Sequence, residues 1–267
     1  MMVPKIIHYC WFGGEPLTEI AQSSISSWQK YAPDFEIRCW DESNVDISEC
    51  DFVKAAYEAR RWAFVSDYVR FKVLYDFGGV YMDVGSELIK GITSLLEYSP
   101  FSAIEHSTRT VSTGLVACCE ASDSVIGEVL NKYRSLQFIN TPDFMHSHTV
   151  NEMLTSVFEE DGFEREDKVQ QVLDWTLLSS EYFDPPFGFR GYQVKPNTFS
   201  VHRCSGSWTE PKFRTKSVVE RTIAPYVGRR PAQIIGRIVG EVKQEGLLWG
   251  VKNSVKVAMR LIRKSRL

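Results

Sequence analysis

The sequence lacks paired cysteines, long apolar runs and internal repeats. None of the six cysteines in the 267-residue chain stands in a Cys-x-x-Cys pair, and Cys118 and Cys119 are neighbours, which suits neither a disulfide framework nor a zinc site. No apolar run approaches the roughly 18 residues of a membrane-spanning helix. The start, MMVPKIIHYCWFGG, lacks a basic segment and a small-residue cleavage site, so we expect no signal peptide. These absences favour a folded protein of the reducing cytoplasm.

Charge is distributed unevenly along the chain. Residues 212–267 hold 14 Lys and Arg against 3 Asp and Glu, a net charge of +11. Because the whole chain carries −3, residues 1–211 carry −14. We predict one folded domain over residues 1–211 and a basic, amphipathic helical tail over residues 212–267.

The first segments alternate between strand and helix patterns. KIIHYCWF (residues 5–12) is rich in β-branched and aromatic residues and is closed by two glycines, which predicts a buried strand and a turn. A helical pattern follows, and then DFEIRCWDES (residues 34–43) has the pattern of a second strand. A strand, a helix and a strand in succession predict a parallel α/β sheet.

The clearest predicted helix covers residues 55–76 and ends at Gly78-Gly79. Its apolar residues recur at intervals of three and four, at Ala59, Trp62, Val65, Val69 and Val73. The glycine-bounded run VYMDV that follows predicts an interior strand with Asp83 near its carboxyl end. Ligands of open α/β sheets bind beyond those ends.

Two acids follow this strand in the stretch FKVLYDFGGVYMDVGSE (residues 71–87). If the extended conformation continues, Asp83, Gly85 and Glu87 line one side, because strand residues two apart face the same way. Charges are costly to bury, so such acids are expected to meet a cation or a polyhydroxylated ligand. The alternative is that Asp83 caps a turn and Glu87 is solvated.

Three separated motifs resemble glycosyltransferase family 32, which has a DXD sugar-binding motif and includes fungal mannosyltransferases and bacterial capsule and O-antigen transferases. SDYVRFKVLYDFGGVYMDVGSEL is similar to its central signature, KIIHYCWFGG to its first strand and VHRCSGSW to its late motif; together they span about 200 residues. The resemblance implies a GT-A-type, Rossmann-like nucleotide-sugar-binding domain with a mostly parallel central sheet, followed here by the basic helical tail.

The resemblance also implies residue roles. Trp11 would stack on the nucleotide base, and Asp67 and Arg70 would contact the ribose or the donor sugar. Asp67 and Arg70 are neighbours on a helix and could act as one polar unit; taken alone they suit a surface ion pair, and Trp11 alone suits the core. His202, Ser207 and Trp208 match the late motif, which in the family closes over the donor diphosphate, where a histidine or an indole N–H could stabilise the charge that develops on it.

Asp83 matches the first acid of DXD, and Gly85 stands where the second is expected. We predict Asp83 and Arg70 as the catalytic residues. In the family the second acid binds Mn²⁺ or Mg²⁺, so three alternatives follow. Glu87 or a water fills the gap; or Asp83 and His202 hold the ion with the diphosphate, which we favour because hard cations accept water ligands; or metal dependence is lost. Arg203, where the family has a second His, would offset part of the missing positive charge.

The predicted function is that of a retaining hexosyl- or N-acetylhexosaminyltransferase. It would move a sugar from a nucleotide-sugar donor, with a UDP-sugar favoured, to a hydroxyl of a growing polysaccharide or lipid-linked glycan. The alternative is a nucleotide-sugar-binding protein that has lost transfer activity, for which Gly85 is the best evidence. A hydrolase with paired carboxylates is disfavoured because no matched second acid is visible.

The C-terminal segment LLWGVKNSVKVAMRLIRKSRL (residues 247–267) has the pattern of an interfacial helix. Basic residues recur every four positions beside an apolar face formed by Leu247, Leu248, Val251, Val255, Ala258 and Ile262. Such a helix binds anionic membranes, so we expect peripheral association with the cytoplasmic face of a membrane and no nucleic-acid partner. The alternative is a helix docked on the acidic residues of the first domain.

Overall fold

The computed structural model describes residues 3–188, 191–203 and 229–245, with a few positions between 215 and 227. The chain divides into two compact units. The first comprises Met1–Pro185 and Val194–Arg203, and the second comprises Pro186–Gln193 and Cys204–Leu267. The predicted domain boundary at residues 211 and 212 and the predicted helix over 247–267 lie outside the described residues.

A seven-stranded sheet forms the centre of the first unit, in the order β2-β1-β3-β6-β5-β8-β7. Its strands are β1 (Ile6–Cys10), β2 (Glu36–Trp40), β3 (Gly79–Tyr81), β5 (Phe101–Ile104), β6 (Val111–Cys119), β7 (Gln170–Val172) and β8 (Trp175–Leu178). β1 is parallel to β2 and β3, and β5 is parallel to β8. Because β6 is antiparallel to both β3 and β5, five strands share one direction. The predicted α/β fold with a mostly parallel sheet is confirmed.

Two small antiparallel ladders also occur among the described residues. β4 (Ser86–Leu88) pairs with β11 (Ser200–His202) in the first unit. β9 (Phe187–Gly188) pairs with β10 (Gly191–Tyr192) in the second unit. The β4–β11 ladder brings the late strand next to the segment that follows β3, although the two segments are more than 100 residues apart in sequence.

Helices cover both faces of the central sheet. They are α1 (Glu19–Tyr31), α2 (Asp51–Glu58), α3 (Trp62–Phe77), α4 (Ser124–Ser135), α5 (Pro142–Ser147) and α6 (Val150–Glu160), and the second unit contains α7 (Arg229–Glu245). The prediction of one helix over residues 55–76 was wrong. Arg60 adopts a left-handed φ of 55° that interrupts the helix, so α2 and α3 are separate. None of the described helices is both long and apolar enough to cross a membrane.

Successive residues around β3 pack into different cores. Tyr81 belongs to the core that contains residues of α2, α3, α4 and α6, whereas Val80 and Met82 belong to the core that contains α1 residues. This alternation is expected of a sheet buried on both faces.

α3 ends where the sequence predicts. Gly78 adopts a φ of 62°, and a Cβ atom there would lie 2.7 Å from the backbone nitrogen of Ala121. Only glycine meets both conditions without strain. The chain therefore turns directly from α3 into β3, and Asp83, two residues after β3, lies beside Arg70 of α3.

Candidate functional site

The carboxyl ends of β1, β2 and β3 meet at one edge of the sheet. Trp11 follows β1, and its backbone N–H donates to the carbonyl of Trp40, the last residue of β2, at 2.9 Å. Asp83 follows the end of β3 by two residues. The edge where parallel strands end is where open α/β sheets bind ligands, and it is the candidate site.

Asp83 lies in a turn and not in a continuing strand. β3 ends at Tyr81, and the backbone N–H of Ser86 donates to the carbonyl of Asp83 at 2.8 Å. The expectation that Asp83, Gly85 and Glu87 line one side of an extended segment was therefore wrong. A turn at Asp83 is the alternative that the sequence left open. Because of this turn, the side chains of Asp83 and Glu87 need not face the same way.

The carboxylate of Asp83 is held from three sides. Its Oδ1 accepts a hydrogen bond from the Tyr81 hydroxyl at 3.0 Å and lies 3.4 Å from Nη1 of Arg70. Its Oδ2 packs against Gly114, where a Cβ atom would come within 2.5 Å of it. The Asp83 side chain nevertheless keeps 37% of its surface exposed. It is a fixed carboxylate that can still contact a ligand.

Gly114 lies in an irregular part of β6. The register with β5 shifts between the pairs Ser102–Ala117 and Ala103–Ser112, so Gly114 falls in a bulge. Its carbonyl accepts hydrogen bonds from the backbone N–H of Asp83 at 3.1 Å and from the Ser86 hydroxyl at 2.9 Å. The sequence analysis missed this residue, although an isolated glycine within a strand pattern is a signal for a bulge or a close approach.

Arg70 and Asp67 form a buried ion pair beneath Asp83. Nη2 of Arg70 lies 2.9 Å from Oδ1 of Asp67, and their side chains are 4% and 10% exposed. Arg70 also donates to the Thr113 hydroxyl at 3.3 Å, and its guanidinium carbon lies 4.9 Å from the centroid of the Tyr81 ring. The pair is thus buried, not the surface ion pair that the two residues alone suggested. Direct contact of either residue with a donor stays a prediction.

Burial and charge shift the pKa values of this pair in ways that keep Arg70 charged. Burial raises the pKa of Asp67 to about 7, against the lowering effect of Arg70, and the charge of Asp83 adds to the increase. Burial lowers the pKa of Arg70, but Asp83, Tyr81 and Asp67 raise it above its ordinary value overall. Arg70 is therefore a permanent cation beside Asp83.

Trp11 lies in a loop that is held by contacts on both sides. Its indole N–H donates to the carbonyl of Glu15 at 2.6 Å, and the ring is partly buried against the core. The backbone N–H of Gly13 donates to the Glu42 carboxylate at 2.7 Å. A Cβ atom on Gly13 would lie 2.6 Å from the indole nitrogen of Trp62. Trp11 is accordingly positioned at the edge, and its stacking on a base stays a prediction.

Glu87 and His202 point to different sides of the β4–β11 ladder. Glu87 pairs with Val201 and His202 pairs with Ser86, and directly opposed residues share a face while successive ones alternate. Nε of Arg203 lies 2.5 Å from Oε2 of Glu87. The charge of Arg203 is thus balanced by Glu87, and Glu87 does not stand beside Asp83 as a second acid.

The predicted metal ligands do not form a complete site by themselves. Across the part of the chain that the structure describes, no three His, Cys, Asp or Glu side chains converge as metal ligands. His202 shares a face with Ser86, whose hydroxyl donates to the Gly114 carbonyl next to Asp83. Ser207 and Trp208 lie outside the described residues.

Two solved structures are similar to this chain over part of its length. A PaToxG glycosyltransferase has 15% sequence identity and a TM-score of 0.48, with 60% of this chain and 70% of that chain covered. A glycosyltransferase involved in the glycosylation of the major capsid of PBCV-1 has 12% identity and a TM-score of 0.43, with 75% of this chain and 94% of that chain covered. No protein of curated function matches this chain.

The sequence model of one family covers most of the candidate site. The model for capsular polysaccharide synthesis proteins matches residues 2–167, which include Trp11, Arg70, Asp83 and Gly114. Membership in glycosyltransferase family 32 stays a prediction, whereas the predicted enzyme class, a glycosyltransferase, is confirmed at the level of the matched family. The chain belongs to the family of capsular polysaccharide synthesis proteins.

Proposed function

We propose that this protein transfers a hexosyl or N-acetylhexosaminyl group from a UDP-sugar to a hydroxyl of a growing capsular polysaccharide or lipid-linked glycan, with retention of anomeric configuration. The observation that carries the proposal is that the Asp83 carboxylate is both fixed and accessible. This carboxylate stands at the carboxyl edge of the sheet, is fixed by Tyr81, Arg70 and Gly114, and remains partly exposed. A carboxylate held in this way suits hydrogen bonding to a sugar or binding of a cation.

Each side chain at the edge of the sheet would act on a different part of the donor. Trp11 would stack on the base, Asp83 would contact the donor sugar or its cation, and Arg70 would keep Asp83 in place while contributing positive charge near the leaving diphosphate. A transfer on the same face as the departing diphosphate needs no protein nucleophile. It requires positioning of the reactants and stabilisation of developing negative charge, which the fixed groups at this edge can supply.

A divalent cation, Mn²⁺ or Mg²⁺, remains part of the proposal, with Asp83 as its principal protein ligand. Magnesium is commonly bound by one or two carboxylates together with substrate phosphates and water, so one acid is sufficient when the donor supplies oxygen ligands. His202 is the second candidate, because it shares a ladder face with Ser86. When bound, the cation would neutralise charge on the diphosphate.

Peripheral membrane association is a further part of the proposal, and α7 supports it. The side chains of Ile234, Ile235 and Val239 are between 37% and 39% exposed. Arg237 and Lys243 are exposed on the same helix. Exposed aliphatic side chains with basic neighbours suit a helix that lies in the interface of an anionic membrane.

Release of the nucleotide tests the proposed activity. The purified protein is incubated with a panel of UDP- and GDP-sugars, with Mn²⁺ or with a chelator, and the free nucleoside diphosphate is measured. We expect release from at least one UDP-sugar. Binding of a nucleotide sugar without release would favour the alternative function, a binding protein without transfer activity, which the glycine at position 85 supports.

A further inference from the structure

A second polar cluster lies at the same edge of the sheet as Asp83. β5 and β8 run in the direction of β3, so the residues after their carboxyl ends reach this edge. The cluster contains two residues after β5, one residue before β7 and two after β8; we call it the His106 cluster, and its members are His106, Arg109, Asp167, Ser180 and Asp184.

The Asp167 carboxylate is the centre of the His106 cluster. It accepts hydrogen bonds from the backbone N–H and the hydroxyl of Ser180, both at 2.7 Å, and forms an ion pair with Arg109. Nδ1 of His106 lies 3.3 Å from the Ser180 hydroxyl and 3.6 Å from Oδ2 of Asp167. Burial raises the pKa of Asp167, but Ser180 and Arg109 bring it below its ordinary value, so the carboxylate stays ionised.

Three side chains of the cluster are fixed and also accessible. His106, Arg109 and Asp167 are 32%, 36% and 24% exposed, whereas Ser180 is buried. Arg109 adopts a φ of 63°, a left-handed conformation that is uncommon for residues other than glycine. The conformation belongs to the turn between β5 and β6, where the backbone N–H of Arg109 donates to the carbonyl of Glu105 at 3.0 Å. The cluster therefore presents a preorganised set of polar groups to a ligand.

The carboxylates of the cluster argue against an anionic ligand. Two carboxylates, Asp167 and Asp184, stand with the guanidinium of Arg109, and the acidic Glu105 precedes His106 in the same loop. An anion such as the donor diphosphate is disfavoured in these surroundings. Sugar hydroxyls suit them, because a hydroxyl can donate to a carboxylate and accept from a guanidinium or an imidazole.

The cluster is also at a suitable distance from Asp83. β6 connects the two places, since Gly114 packs against Asp83 while Val111 pairs with Ile104, the last residue of β5. Three residues of chain separate the two positions, and even a fully extended chain of that length spans at most roughly 10 Å. A glycan of a few sugar units that ends at Asp83 can therefore reach the loop that carries His106.

We propose that the His106 cluster is a subsite for a neutral sugar residue of the acceptor glycan, with His106 as a binding residue. The inference rests on the proposed sugar transfer and adds to it the place and chemical class of the acceptor. It also separates the edge into two parts, with the donor beside β1 and β3 and the acceptor beside β5 and β8.

The substitution His106→Ala tests the subsite without dismantling it. The backbone N–H of His106 still donates to Asp184, at 2.9 Å in the native protein, and Ser180 still binds Asp167. UDP release from the donor is measured with increasing amounts of neutral methyl glycosides. We expect at least one glycoside to accelerate release by the native protein. His106→Ala should require about 10-fold more of it, the loss expected for one hydrogen bond, while release to water is unchanged.

Ser107→Ala is the matched control, because Ser107 is an exposed neighbour in the same loop. It should respond to the glycosides like the native protein. An equal response of His106→Ala and the native protein, or acceleration by no neutral glycoside, would overturn the inference.

Absence of UDP release from every donor, even to water, would contradict the proposed function instead. The imidazole signals of His106 are then followed by NMR while the same glycosides are added to the full chain. Changes in the chemical shifts of His106 on addition of a glycoside, seen in the native protein and equally in Ser107→Ala, would support the subsite. Signals that no glycoside moves would overturn it.

Discussion

Gly114 provides a sharp test of how Asp83 is held. In Gly114→Ala the new Cβ atom would lie 2.5 Å from Oδ2 of Asp83, whereas ordinary contacts begin at 3.4 Å. The carboxylate or the bulge must therefore move by roughly 0.9 Å, the difference between these two distances. A misplacement of about 1 Å can cost on the order of 100-fold in rate, so we expect donor cleavage to fall by about this factor.

The assay compares steady-state UDP release with thermal unfolding of the same samples. Overpacking costs about 1–3 kcal/mol, so Gly114→Ala should be less stable but folded. Gly127→Ala is a matched control, because a Cβ atom there would lie 3.0 Å from the Tyr75 ring and would also crowd its neighbour. Gly127 lies near the start of α4, which follows the end of β6 that is remote from Asp83. Folded Gly114→Ala protein that cleaves the donor at the native rate would refute the positioning of Asp83 by Gly114.

Three other perturbations test separate parts of the site and the tail. Trp11→Ala should weaken binding of free UDP by about 1–3 kcal/mol, the range found for stacking of aromatic side chains on bases in nucleic-acid binders. Equal UDP affinities of the variant and the native protein in titration calorimetry would show that Trp11 has only a packing role. Because the pKa of Asp67 is raised to about 7, the folded state binds its proton more tightly than the unfolded state, and this residue makes stability fall as the pH rises from 3.8 to about 7. Denaturant unfolding of Asp67→Asn should show a smaller fall over that range; an unchanged pH dependence argues against the buried carboxyl. Deletion of residues 228–267 should leave UDP release intact but abolish flotation with anionic liposomes at low salt, and full-length protein that ignores such liposomes contradicts membrane association.

Local patterns in the sequence predicted the elements that carry the site. The apolar run closed by Gly13-Gly14 is β1, and Gly78-Gly79 ends the helix that carries Asp67 and Arg70. These features depend on neighbouring residues, whose chemistry is visible in the sequence. The predicted contacts of Trp11, Asp67, Arg70 and Asp83 with a donor remain predictions.

The errors and omissions arise where distant segments decide the structure. The sequence left a turn at Asp83 open but gave no sign that Asp83 would meet Gly114, because that contact joins the segment after β3 to a bulge in β6. The apolar periodicity continued across Arg60, so the break between α2 and α3 was not visible. The contact of His106 with Ser180 spans 74 residues and follows no motif, which is why the cluster was found only in the fold.

The most direct test of the account is the rate of UDP release by Asp83→Ala compared with that of the native protein, on the UDP-sugar that the native protein cleaves fastest. The substitution removes a partly exposed carboxylate and little core volume, so the variant should fold. It should also lose the charge that Arg70 and Tyr81 hold at the sheet edge. We predict turnover below about one tenth of the native rate, a loss of more than about 1.4 kcal/mol in transition-state stabilisation. A folded Asp83→Ala protein that retains more activity than this would show that the donor site lies elsewhere.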